Sequence, residues 1–340
     1  MTSSDSPSSS SSEKPRLCSR CKCGRAACFL LPFIGLVLVV IPLLAVLCPN
    51  TLTEDKIVII PRGASVQTIA TDLKTNGVVD SPLVFRAMAR VMASDNLQAG
   101  EYEFSPDQNM IDIVVMMREG RSIVRRFTVP EGLTSHEIVT LLRNDPTFSS
   151  EIAADPPEGS LLPETYHYSY GDSRAEIIER MQKGRNDLLN ALWEKRAEGL
   201  PLKSPQDALI VASIVEKETG KKPEERARVA GVFYNRLRQG MRLQSDPTVI
   251  YAITNGLCPL ARDLTHDDLS FVSPFNTYTN VGLPPKPICN PGRASLEAVL
   301  HPEMNDFLYF VADGTGGHAF AKDLSQHNQN VSRWLSLQKP

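Results

Sequence analysis

An α+β fold preceded by a single membrane-spanning helix is what this sequence predicts, and three observations carry the prediction. An uncharged apolar run fills residues 29–47. From Lys56 onward, short β-rich phrases alternate with amphipathic helical stripes. Inside the larger C-terminal part lies a segment, Ala208 to Val215, that is apolar on every side. The 340 residues, 42% hydrophobic and 22% charged, suffice for two or three domains with their own cores. A net charge of -3 gives no basic surface, which sets nucleic-acid binding aside.

The N-terminal element is a tail, residues 1–28, whose first twelve residues are mostly Ser with Asp, Thr and Pro and lack the apolar side chains that offset chain ordering. The run FLLPFIGLVLVVIPLLAVL that follows matches the roughly 20 residues needed to span the hydrocarbon layer, with Pro32 and Pro42 as kink points. Lys14, Arg16, Arg20, Lys22 and Arg25 precede it, whereas Glu54 and Asp55 follow it. The positive-inside rule therefore predicts a single-pass protein of the cytoplasmic membrane, N-terminus cytoplasmic and everything from Cys48 extracytoplasmic. A cleaved leader would have a shorter apolar region, about 7–15 residues, and an A-x-A-like site. Cys18, Cys21, Cys23 and Cys28 lie in the tail without the second ligand pair of a zinc site, which leaves reduced thiols or acylation. Cys48, Cys258 and Cys289 make an odd set, so at most one disulfide can form among them. The sequence leaves a Cys258–Cys289 pair open.

Residues 56–126 read as a small α+β domain. KIVII is a strand, followed by a Pro-Gly turn and a helix with Val66, Ile69, Ala70 and Leu73 on one face. Leu83 to Met92 reads as a helix, Gly100 to Phe104 as a strand and Met110 to Met117 as another helix. Strand–helix units of this kind resemble LysM-like modules that hold cell-wall glycan; a spacer with an ordinary core is the other reading. The opening phrase recurs at RRFTVPEGLTSHEIVTLLRND, with Ile138, Leu141 and Leu142 as the stripe, and begins the second domain, residues 127–340. Tyr-rich PPEGSLLPETYHYSY comes next, then a helix from Ser173 to about Glu198.

The chemistry-bearing residues lie beyond it. Ser204 and Pro205 form a helix start, and the helix runs through ALIVASIVEKET to Gly220, its apolar part ending in Glu216, Lys217 and Glu218. Glutamates two apart diverge by about 200°, so only one faces a given cleft, leaving the other to solvent or a lysine partner. A glutamate at the edge of an apolar core, at a helix C-terminus, has its pKa raised, as a general acid near neutral pH requires. Pro223 begins the next helix, with Val229, Val232, Phe233 and Leu237 inward. The polar segments around Gln244, Ser245 and Asp246 and around Asn276, Thr277, Tyr278 and Asn280 offer amide and hydroxyl groups suited to sugars. Turn formation by Asn and Pro accounts for part of that composition.

ASIVEKETG, VFYNRLRQGMRLQSDPTVIY, SPFNTYTNVGLPPKPICNPG, ASLEAVLHP and LYFVADGTGGHAF, in this order, resemble the endolytic murein transglycosylases, the MltG or YceG-like family. The resemblance covers most of the chain and implies a catalytic domain with a lysozyme-like helical centre. It also implies Glu218 as the catalytic glutamate, and a lyase that cuts nascent peptidoglycan between MurNAc and GlcNAc to leave 1,6-anhydro ends. Action near the cell-wall elongation machinery follows from the same resemblance. The Ser-rich, Cys-containing tail is not part of the family pattern. Asp246 is the candidate second carboxylate that would make the enzyme a muramidase instead, if it stood at the roughly 5–5.5 or 6.5–9.5 Å that hydrolysis requires; a non-catalytic glycan-binding scaffold is the further alternative. His301, His318 and His327 with Asp313 and Asp323 lack metal-site spacing, and GTGGH lacks the Lys of a phosphate cradle and reads as a turn between strands LYFVAD and HAFAK. No metal or cofactor is expected.

Overall fold

The computed structural model describes residues 47–219 and 222–337. The predicted tail, its four cysteines and, but for its last residue, the membrane-spanning helix at 29–47 lie outside the described residues. Among the described residues no helix is long and apolar enough to cross a membrane. The architecture is mixed α+β, in two compact units that divide between Arg121 and Ser122.

In the first unit β1 (Lys56–Ile60) pairs antiparallel with β2 (Gly100–Phe104), placing Val58 opposite Tyr102. Period-two alternation turns Val58 and Ile60 inward and leaves Ile57 and Ile59 outside. The chain reverses at Gly63, whose φ of +80° only glycine adopts without strain. Ser65 then caps α1 (Val66–Thr75), its hydroxyl accepting from the Thr68 amide at 3.1 Å. Ser81 and Pro82 start α2 (Pro82–Ala93), and a capping box of Asn109 and Asp112 starts α3 (Met110–Glu119). Ile69, Leu73, Phe85, Tyr102, Phe104 and Met117 fill the core, each large side chain contributing about 1.5–3 kcal/mol by burial.

The second unit opens with the same device. β3 (Arg125–Thr128) pairs with β4 (Thr165–Tyr168), the chain turns at Gly132 with φ +78°, and Thr134 caps α4 (Ser135–Asn144). The predicted stripe on α4 is corrected at one position: Leu141 is exposed, and Val139 takes its place beside Ile138 and Leu142. α5 (Arg174–Glu194) stops about four residues short of the expected Glu198, where the Lys195 and Arg196 amides turn back onto Leu192 and Trp193. α6 (Pro205–Glu218) is buried from Ala208 to Glu216 and is the central helix, enclosed by α5, α7 (Arg226–Arg238), α8 (Asp246–Thr254) and α9 (Arg293–Leu300). Pro223 begins a 3-10 turn, Pro223–Glu225, rather than α7 itself. The hairpin of β5 (Tyr309–Ala312) and β6 (His318–Ala321) turns at GTGG as expected, and α10 (Leu324–Leu337) closes the described chain.

Candidate active site

The head of α6 is set by its start and by one loop strapped along its length. Ser204 accepts from the Asp207 amide at 3.2 Å, fixing the first turn. Halfway along, the Ser213 hydroxyl donates to Ile210 O and accepts from the Ile288 amide at 3.0 Å, tying the 285–291 loop to the helix. Beside it, fully buried Asn290 joins three segments: its Oδ1 accepts from the Leu161 amide at 2.9 Å, and its Nδ2 donates to Leu133 O, Ser135 Oγ and Glu158 Oε1. At the far end Thr219 donates to Val215 O and ends the helix with extended backbone. The carboxyl of Glu218 is thus delivered from a rigid support, the arrangement that reaction-grade positioning requires.

The two glutamates have divergent environments, with one correction to expectation. Glu216 is neither solvated nor paired with lysine. It is buried, accepts from the Gly292 amide at 2.9 Å and pairs with Arg226 Nη2 at 3.2 Å, a nitrogen that Glu131 also approaches at 3.5 Å. Burial of an anion is tolerated there because a cation and an amide satisfy it. Glu218 is half-buried and enters a cleft of about 320 Å³. Its Oε1 accepts from the Ser245 hydroxyl at 2.6 Å. Desolvation lifts its pKa to about 7, the Asp246 charge adds to that, and the Ser245 bond, His318 and Arg236 restrain it. A carboxyl so placed can give and take a proton near neutral pH.

The predicted binding residues separate into two layers. Gln244, Asp246 and Tyr278 line the cleft, with the Tyr278 hydroxyl donating to Asp246 Oδ1 at 2.6 Å. Ser245, Asn276 and Thr277 lie beneath it, all at or below 1% exposure. Asn276 holds its own loop, donating to Leu269 O and Phe271 O and accepting from the Tyr278 amide. Thr277 Oγ1 accepts from the Ser245 amide at 3.0 Å and meets Thr248 Oγ1 at 2.8 Å. This buried lock between two loops aims the Ser245 hydroxyl at Glu218. Gln244, bonded through its amide to Thr277 O, is held at φ +51°, a conformation that costs a non-glycine residue about 1–3 kcal/mol and persists where surroundings enforce it.

Two groups in the cleft went unread in the sequence. Arg236, 7% exposed, sits among neutral acceptors: Nε donates to Leu308 O at 2.6 Å, Nη1 to Leu243 O at 2.7 Å and more distantly to Arg242 O and Gln244 Oε1. Its signal is a cation on the buried helical stripe Val229, Val232, Phe233. His318 was considered only as a metal ligand; its Nδ1 lies 2.7 Å from Glu225 Oε2, and its ring packs on Phe310 at the cleft wall. The open disulfide question is also answered: Cys258 and Cys289 are both free, the first exposed and the second buried.

A mixed α+β unit whose cleft holds a carboxyl suited to proton exchange near neutral pH has the arrangement an acid–base enzyme needs. More narrowly, the chain belongs to the YceG-like family, whose match spans residues 58–333. It is 32% identical over 310 residues to a Bacillus subtilis (strain 168) protein named endolytic murein transglycosylase, covering 82% of this chain and 84% of that one. It is 30% identical over 324 residues to a protein of the same name from Streptococcus pneumoniae (strain D39), covering 82% of this chain but only 58% of that longer one. A crystal structure of a YceG-like protein from Listeria monocytogenes aligns with a TM-score of 0.49 at 34% identity, over 81% of this chain and 99% of that chain.

Proposed function

We propose that this protein is an endolytic peptidoglycan lytic transglycosylase, cutting the MurNAc–GlcNAc bond within nascent strands during cell-wall assembly. Glu218 is assigned as its only acid and base. Two relatives that bear the name endolytic murein transglycosylase support the reaction class. The observation that carries the assignment of Glu218 is its half-buried carboxyl, held near neutrality in the cleft by desolvation while Ser245 orients Oε1. The protonated carboxyl gives its proton to the glycosidic oxygen as the bond to the muramic C1 breaks. The C6 hydroxyl of the same sugar then bonds to C1, and the carboxylate takes up the hydroxyl proton. Atoms balance without water, and the product carries a 1,6-anhydro ring.

Gln244, Asp246 and Tyr278 are the cleft groups assigned to sugar contact, and Ser245, Asn276 and Thr277 act beneath them as positioning residues. A muramidase reading rests on Asp246 sharing the cleft with Glu218. Against it, Asp246 Oδ1 is already engaged by the Tyr278 hydroxyl, which is held protonated by its burial and the neighbouring carboxylates. The positive-inside pattern of the N-terminal segment supports a single-pass anchor with residues 56–126, as a LysM-like module, and residues 127–340 outside the cytoplasmic membrane near the elongation machinery. The test is Glu218→Gln: strand cleavage should fall at least 10³-fold while saccharide affinity is retained. Unchanged turnover would overturn the assignment.

A further inference from the structure

A second cavity, larger than the Glu218 cleft, adjoins it on the other side of the same two helix ends. It encloses about 400 Å³, within the range of about 300–1,000 Å³ typical of ligand sites. The walls of the two spaces alternate along the chain. Glu218 and Asp246 line the cleft, and their neighbours Lys217 and Pro247 line the cavity. Consecutive residues at the ends of α6 and α8 thus wall both spaces, which places the cavity beside a molecule held at Glu218 and open to a branch of that molecule.

The lining has a definite chemistry. Ile250, Leu260 and Leu264 make apolar walls. Of the two cations in the lining, Lys217 directly precedes the cleft-lining Glu218 in the chain; its Nζ meets only the Gly132 carbonyl, at 3.3 Å, and among the described residues no carboxylate pairs with it. The other cation of the lining, Arg262, is spent on Asp268 at 2.5 Å. The carboxylate of Glu137 is turned to the Thr134 amide at 2.8 Å, where it closes a helix cap. A solvent-exposed ammonium held by one long bond, in a chamber with apolar walls whose rim also carries Asp263, is suited to a ligand with a carboxylate and small apolar groups.

We propose that this cavity receives the peptide branch of the substrate strand, with Lys217 pairing with a peptide carboxylate and Ile250, Leu260 and Leu264 covering its alanyl methyls. The inference rests on the transglycosylase reading, and it deepens that reading. The muramic residue, whose bond is cut at Glu218, carries through its lactyl group a short peptide with free carboxylates. No other acidic, weakly apolar branch lies so close to the scissile bond. The site would therefore select strands that still carry peptides over bare glycan.

The test uses the full chain in detergent with Glu218→Gln to prevent turnover, and calorimetric titration with a muramic disaccharide bearing its peptide and with the same disaccharide lacking it. The peptide is expected to add at least tenfold to affinity. Lys217→Met or Leu260→Trp should remove that gain and leave the peptide-free affinity within twofold, which also reports that each variant is folded. Equal affinity for the two ligands overturns the proposal, as does a gain that survives both variants or a loss that falls on both ligands alike. If neither disaccharide binds, the transglycosylase reading fails, and this site fails with it.

Discussion

Glu218→Gln should stabilise the protein at alkaline pH, and the size of the effect follows from the cleft. The carboxyl is held at about 7 against an ordinary 4.5, chiefly by desolvation. A group whose pKa is raised on folding favours the folded state below its unfolded value and loses that contribution as pH rises through its folded value. The wild-type protein is therefore expected to lose stability between about pH 4.5 and pH 7. At about 1.36 kcal/mol per pH unit the full effect would exceed 3 kcal/mol, but solvent reaches this half-buried side chain, and about 1–2 kcal/mol is the expected magnitude. Glutamine keeps the shape and the acceptor for the Ser245 hydroxyl while removing the charge. In a unit of this size the gain corresponds to a Tm higher by about 2–8 °C at pH 8. Melting curves for wild type and variant from pH 4 to 8 check it, the gap closing at pH 4. A variant no more stable at pH 8, or a gap independent of pH, would refute the desolvation argument.

Three other outcomes are expected. Ser245→Ala removes a bond of about 1.5–3 kcal/mol to the ionised carboxyl, so the pH–rate limb set by Glu218 should move alkaline by about one to two pH units, as a kcat/KM profile would show. Asp246→Asn removes the charge that adds to the raised pKa, so the same limb should move toward acid; a water-using enzyme would instead lose nearly all turnover. Asn290→Ala leaves the buried Leu161 amide without its partner, while the Leu133 carbonyl keeps its bond from the residue 290 backbone amide, with an expected loss of about 1–3 kcal/mol by urea denaturation.

The parts of this fold that were legible in the sequence are those governed by local rules. Ser204 with Pro205 announced the start of the central helix because a short polar side chain satisfies a free amide wherever the chain turns helical, whereas the caps at Ser65, Ser81, Asn109 and Thr134 emerged only with the structure. The repeated strand–Pro-x-Gly–helix phrase was visible because Gly63 and Gly132 both answer the same backbone demand. Ala208 to Val215 stood out as a buried helix from composition alone. The misread positions depend on partners distant in sequence. Glu216 is buried only because Arg226 and the Gly292 amide converge on it, the latter 76 residues away. Asn276 and Thr277 looked like sugar ligands because amides and hydroxyls serve loops and ligands equally well, and only their burial distinguishes the two uses. His318 reached the cleft through its bond to Glu225, 93 residues earlier, which no local pattern encodes.

The most direct test of water-free cleavage at Glu218 is digestion of peptidoglycan strands in water enriched in 18O, with the new ends weighed by mass spectrometry. Proton return to Glu218 and ring closure through the C6 oxygen predict muramic ends one water lighter than reducing ends and free of label. Reducing ends carrying 18O would show that water attacks the anomeric carbon, contradicting the assignment.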